Sequence, residues 1–273
     1  MELRPELHPL LTKSSECISE FSFANLFLFR EAHKYLISQL REGVWVIAGS
    51  DEGRDFFMLP FGIPDKTILE ELFTRFSHVK NATCGEAKIL TDLGYKAEED
   101  RDNFDYLYLR EDLASLKGRR FHKKRNLVKL FSAEYSCEIF PLEKKYTKDA
   151  LAVLDLWRSE RDTSGDYAPA KEGLLLMEAL ELSGTIYYID GKAVSYAQGE
   201  ALPGCTQFAV HFEKGTNEYK GLRQFVNQNF AENLPASLKY INREQDLGDP
   251  GLRQAKESYK PCGFNKKYRV TRR

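Results

Sequence analysis

Apolar positions along the chain switch repeatedly between a helical period and a two-residue alternation. The stretch 19–30 (SEFSFANLFLFR) carries a serine cap ahead of apolar residues at helical spacing and predicts an amphipathic helix. Stretches 34–40, 44–49 and 55–62 (KYLISQL, VWVIAG, DFFMLPFG) predict a strand meander, with turn residues at 41–43 and 50–55. Two helices follow, 64–76 (PDKTILEELFTRF) and 86–95 (EAKILTDLGY), the second closed by Gly94. A strand at 104–110 (FDYLYLR) closes this half.

The second half runs through a similar order. It predicts a strand at 137–142, helices at 147–161 and 171–184, a hairpin at 185–200 turning on Asp190-Gly191, and a strand at 206–213. A helix at 222–234, a strand at 237–244, a helix at 251–261 and a strand at 266–270 complete the chain. Strands alternate with helices but include a hairpin, so the class is mixed α/β rather than a doubly wound parallel sheet. Setting Gly94-Tyr95 on Gly263-Phe264 aligns EAKILTDLGY with AKESYKPCGF, each a short helix ended by glycine and an aromatic and followed by a strand. This is the mark of an internal repeat, although any two helix-glycine-strand units share it.

A length of 273 residues with 42% hydrophobic content suits two domains. No apolar run approaches the roughly 20 residues that span a bilayer. The opening MELRPELHPLLTKSSE has acids and two prolines where a secretory signal has an apolar run, so the expected location is cytoplasmic. Five cysteines, at 17, 84, 137, 205 and 262, form no CxxC pair and read as single buried thiols, not as a disulfide framework. Neither they nor the five histidines show ligand spacing, and no metal is expected.

Charge changes the picture more. The net charge of −1 conceals 13 Lys+Arg against 21 Asp+Glu in residues 1–112 and 27 against 20 in the remainder. From Leu113 to Ala133 there are seven cations and no acid. On a helix, Phe121, Val128 and Phe131 share one side and leave Arg119, Lys123, Arg125 and Lys129 facing outward. Such a surface either meets an anionic partner or is a solvated connector balanced by the acidic half.

The unit AKESYKPCGF resembles the last helix and strand of GNAT acyltransferases, through Ala255, Tyr259, Gly263 and Phe264. TIYYIDGKAVSYAQGE resembles their central hairpin, and FAVHFEKGTNEYKGLRQFVNQNF the strand, pyrophosphate loop and helix that follow. Over nearly the whole length the chain resembles the tandem-GNAT proteins grouped with the soluble C-terminal domain of phosphatidylglycerol lysyltransferase, which are related to the enzymes that build peptidoglycan bridges.

That resemblance implies two tandem GNAT-like domains, each a mixed, mostly antiparallel sheet flanked by helices. Their expected bounds are 1–112, without catalysis, and 133–273, holding the donor site, with a basic connecting helix at 113–132. It implies acyl or aminoacyl transfer to an amine or hydroxyl, with coenzyme A (as acyl-CoA) or aminoacyl-tRNA as donor. Tyr259 is the implied acid, and its counterpart in the first repeat is Leu90. For a base, NREQDLGDP offers Glu244, Asp246 and Asp249, with Asp246 preferred; Asp249 reads equally as a helix cap and Asp246 as a turn residue. The implied cofactor contacts are Val210, His211 and Phe212 on the strand and Tyr219, Lys220, Gly221, Leu222 and Arg223 on the loop.

Only Gly221 matches the family's pyrophosphate pattern; Glu218 and Arg223 depart from it, as does Leu252, where many coenzyme-A-dependent members carry Asn. Arg119, Lys123, Arg125 and Lys129 are the expected anion contacts, for tRNA or for an anionic lipid surface. The alternative is a non-catalytic module that holds RNA or an anionic membrane through the same basic patch.

Overall fold

The computed structural model describes residues 1–13, 17–162 and 165–273. Thirteen strands form two sheets among these residues. The first sheet is built from β1 (Leu36–Gln39), β2 (Trp45–Asp51), β3 (Arg54–Met58), β4 (His78–Ala82) and β5 (Lys96–Glu99). The second takes β7 (Cys137–Pro141), β8 (Ser183–Ile189), β9 (Lys192–Ala201), β10 (Gln207–Gly215), β11 (Tyr240–Asn242) and β12 (Gly263–Asn265). Two strands cross between them, β6 (Asp105–Leu109) and β13 (Tyr268–Thr271).

The mixed α/β expectation holds, with two mostly antiparallel sheets flanked by helices. Each sheet has one parallel pair, β3 with β4 and β10 with β11, joined by helices Lys66–Arg75 and Leu222–Asn233. After each pair come a second helix, Cys84–Asp92 or Pro250–Glu257, and an outer strand, β5 or β12.

The sheets do not part at residue 112. The strand expected to close the first half, β6, lies in the second sheet, antiparallel to β11 and β12 with Tyr108 opposite Ile241 and Tyr106 opposite Phe264. In return β13 fills the corresponding slot of the first sheet, between β4 and β5. A strand between two others satisfies its backbone on both edges, and an alternating segment such as FDYLYLR does so equally well in either sheet.

One core serves both sheets. The segment Ser19–Leu28 packs Phe21, Phe23 and Leu26 with Ile47, Phe56 and Met58 of the first sheet and with Ile186, Tyr196 and Phe212 of the second. A second core lies under helix Leu222–Asn233 and receives Phe131 from the basic helix His122–Glu134. Apolar positions on helices Lys66–Arg75 and Cys84–Asp92 make the third.

The expectation of single buried thiols fails. Cys17 and Cys205 are joined in a disulfide with Cα atoms 6.0 Å apart, and Cys84 and Cys262 are exposed. The pair is separated by 188 residues, and only the fold brings the N-terminal segment onto the β9–β10 turn. At Asp190-Gly191 both residues have positive φ, as a two-residue hairpin turn requires.

Candidate active site

Strands β10 and β11 run in register from Gln207 opposite Tyr240 to Ala209 opposite Asn242, and β11 ends there while β10 continues to Gly215. At the same level β10 carries a bulge against β9, where Val210 faces Gly199, Phe212 faces Gln198 and His211 is the extra residue. A bulge re-aims side chains, and here it gathers charged groups at the point where the two strands diverge.

On the face under helix Leu222–Asn233, Arg243 Nη2 donates to Glu213 Oε2 at 2.7 Å, joining the segment after β11 to β10. Tyr259 stands beside this pair, the Arg243 guanidinium carbon lying 5.9 Å from its ring centre. Burial pushes the Tyr259 hydroxyl up to about 12, against the pull of Arg243. It therefore carries its proton at neutral pH. Lys124 of the basic helix sits 4.0 Å over the same ring and donates to Ser258 Oγ at 2.7 Å.

The opposite face holds His211, whose side chain is fully buried. Its Nδ1 lies 2.8 Å from Glu244 Oε1 and its Nε2 3.0 Å from Glu200 Oε1. Burial alone would lower this imidazole, but the two carboxylates outweigh it and raise the group to about 10. His211 is thus an imidazolium donating to both neighbours. Asn25 Nδ2 donates to Glu244 Oε1 at 3.0 Å and brings the N-terminal segment to the site.

The loop after β11 is held in an unusual shape. Glu244, Leu247 and Gly248 all have positive φ. Lys256 donates to the Glu244 carbonyl at 3.1 Å, and burial lowers its ammonium to about 8. Asp246 is fully buried and accepts from Tyr106 Oη at 2.6 Å, from Arg253 Nε at 2.8 Å, from Arg101 Nη1 at 3.1 Å and from the Gly248 N–H at 2.9 Å. Burial would raise its carboxyl, yet these donors hold it well below the usual carboxylate range. So Asp246, preferred above as base, is committed to fastening the loop. Asp249 caps helix Pro250–Glu257 through the Leu252 N–H at 2.7 Å. Among the three acids of that stretch, Glu244 is the one at the bulge.

The expected cofactor contacts divide in the same way. Val210, His211 and Phe212 form the bulge, and all three are buried. Gly221 caps helix Leu222–Asn233 at φ +90, but a Cβ there would lie 2.4 Å from the Leu127 carbonyl oxygen. The glycine admits the basic helix, and a carbonyl oxygen on that side opposes a phosphate. Leu222 is buried, Tyr219 packs edge-on to Tyr135 with ring centres 5.1 Å apart, and Lys220 and Arg223 are exposed. These residues fit a coenzyme A pyrophosphate poorly.

Of the expected anion contacts, Arg119, Lys123 and Lys129 are exposed, whereas Arg125 donates to the Gly118 carbonyl at 3.2 Å and to that of Leu116. Lys124, which the spacing did not single out, is the cation that reaches Tyr259. Sequence reasoning also missed Glu200, Glu213 and Arg243 as site residues. The one signal for this cluster was a histidine inside the apolar strand FAVHF. Among the described residues no three or more His, Cys, Asp or Glu are placed to hold a metal, and no helix is long and apolar enough to cross a membrane.

A family model described as phosphatidylglycerol lysyltransferase, C-terminal, matches residues 13–271. A conserved protein of unknown function from Bacteroides thetaiotaomicron is similar over 100% of this chain and 97% of its own, with 28% identity and a TM-score of 0.88. L-PGS from Bacillus licheniformis superposes over 92% of both chains at 12% identity and a TM-score of 0.61. FemX does so over 98% of this chain and 95% of its own, at 8% identity and the same score. At those identities the last two likenesses are of fold alone. No curated protein sequence matches.

Proposed function

The chain belongs to the phosphatidylglycerol lysyltransferase C-terminal family, and from that premise we propose that it transfers an aminoacyl group from an ester donor, the charged end of a tRNA, to an amine or hydroxyl acceptor. The observation that carries this reading is Tyr259, protonated and placed beside the Arg243–Glu213 pair where β10 and β11 diverge.

In the step proposed, the acceptor attacks the ester carbonyl, a bond to carbon forms and the bond to the ribose oxygen breaks. Tyr259 passes its proton to that departing oxygen. The proton released by the acceptor goes to the Glu200–His211–Glu244 network on the other face, and exchange with solvent restores both groups.

Proton affinity favours an ester over a thioester. A thiol of ordinary pKa, about 8.5, departs without much help, whereas a ribose oxygen is far more basic and suits an acid near 12. The crowding at Gly221 points the same way. Lys124 links the exposed cations of the basic helix to the site, and such cations hold a phosphate backbone without reading its sequence.

The test is transfer to a primary amine from labelled aminoacyl-tRNA and, separately, from labelled acetyl-CoA. Product from the ester alone, with donor affinity falling steeply as salt rises, supports the reading. Product from the thioester alone overturns it.

A further inference from the structure

Where β9 ends and β10 begins, a cavity of about 420 Å³ opens at the edge of the second sheet. Its walls include Pro203, Phe208, Leu234 and Leu238, and Glu181 stands at it as well. Glu200, the other acid lining it, is only 9% exposed. Among the described residues Glu200 has one hydrogen-bond partner, His211, which uses a single oxygen.

The charges around this carboxylate do not close. His211 supplies one positive charge to two carboxylates. Glu244 has further cover from the Asn25 amide and from the Lys256 ammonium held at its carbonyl. Glu200 has none. A buried carboxylate with an oxygen uncommitted favours a cation brought to it. Glu181 differs, being already paired with Arg4 at 2.5 Å.

We infer that this cavity is the acceptor site and takes a primary amine carried on an apolar body, which arrives as the ammonium, docks on Glu200 and gives that carboxylate one proton before it attacks, the body lying against Phe208, Leu234 and Leu238. The volume falls in the range of small-molecule sites, and the lining joins an apolar wall of Phe208, Leu234 and Leu238 to a polar one that holds His8, Thr12 and Glu200. Glu200 pairs across the sheet with Ala209, one position before the bulge, and its carboxylate is bonded to His211 at the bulge itself. An anionic amphiphile would place its charge against the same carboxylate and be repelled. The inference rests on the transfer reading for its meaning, but the binding it describes does not depend on turnover.

Titration calorimetry of the full chain with n-octylamine, n-octanoate and n-octanol tests it. Saturable one-site binding of octylamine, about tenfold or more weaker in Glu200→Gln, with no binding of octanoate, is the result expected. Octanoate or octanol binding as tightly as octylamine overturns the inference, as does octylamine affinity unchanged in a folded Glu200→Gln variant. Should that variant fail to fold, Leu238→Trp, which fills the cavity from its wall, carries the test: retained octylamine binding there sinks the proposal. Octylamine binding without any transfer activity would leave the inference standing and refute the transfer reading. Transfer to small amines without octylamine binding would do the reverse.

Discussion

The ammonium of Lys124 lies 4.0 Å from the centre of the Tyr259 ring and donates to the neighbouring Ser258 hydroxyl at 2.7 Å. A helix expected to connect two halves and to offer Arg119, Lys123, Arg125 and Lys129 to an anion thereby brings a different cation, Lys124, to the candidate site. Half-buried and beside Arg243, this ammonium has its pKa lowered by burial first and by the neighbouring guanidinium second. It is suited to pair with an incoming phosphate.

Lys124→Ala should therefore raise the KM for the donor and reduce the salt dependence of its binding by about one phosphate contact, with little loss of stability. Arg125→Ala, one residue on, should do the opposite, because Arg125 spends its guanidinium on the carbonyls of Leu116 and Gly118. Its cost is expected in stability, about 1–2 kcal/mol, with donor affinity little changed. Donor titrations at several salt concentrations and urea melts of the two variants check both halves.

Gly221→Ala is expected to destabilise by about 2–4 kcal/mol, from overpacking against Leu127 and a left-handed backbone together. Urea denaturation reads this directly. Wild-type stability in that variant would mean that the basic helix does not lie across the start of helix Leu222–Asn233.

Lys267 is fully buried, and its ammonium stands between Asp105 Oδ1, at 2.6 Å, and the carboxylate of Glu20. It thus fastens the start of β13 to β6 and to the N-terminal segment, the three pieces that hold the sheets together. Lys267→Met leaves two buried carboxylates without their cation and should cost about 3–5 kcal/mol. Adding Asp105→Asn should recover part of that loss, and no recovery would argue against their coupling.

Much of this architecture was legible in the chain. The helix caps, the Asp190-Gly191 hairpin and the repeat of helix, glycine and strand all left local marks. The exchange of β6 and β13 left none, since a strand's alternation does not say which sheet it will join. Strand β4 was missed because His78, Lys80 and Asn81 are polar, yet all five of its residues are buried. The Glu200–His211–Glu244 network joins residues from three segments, and only the odd histidine in FAVHF marked it. In contrast, NREQDLGDP displayed its acids openly, and Asp246 drew attention that its five donor contacts do not support.

His211 gives the stability a definite pH dependence. Its folded pKa, about 10, lies above the unfolded value of 6.5, so its contribution is full below 6.5, declines as pH rises and is gone once pH passes the folded value. Thermal melts from pH 6 to 10.5 should show wild type losing stability through that window more steeply than His211→Gln. Parallel curves would mean that the imidazole is neutral in the native state.

The transfer reading stands most directly on the Tyr259 proton. Single-turnover transfer from aminoacyl-tRNA to an amine, compared between wild type and Tyr259→Phe at equal donor saturation, is the measurement to make. A fall of about 10²-fold or more in the rate, with thermal stability retained, is the outcome predicted. An unchanged rate in the folded variant would contradict the account, because the departing oxygen would then be taking its proton from elsewhere.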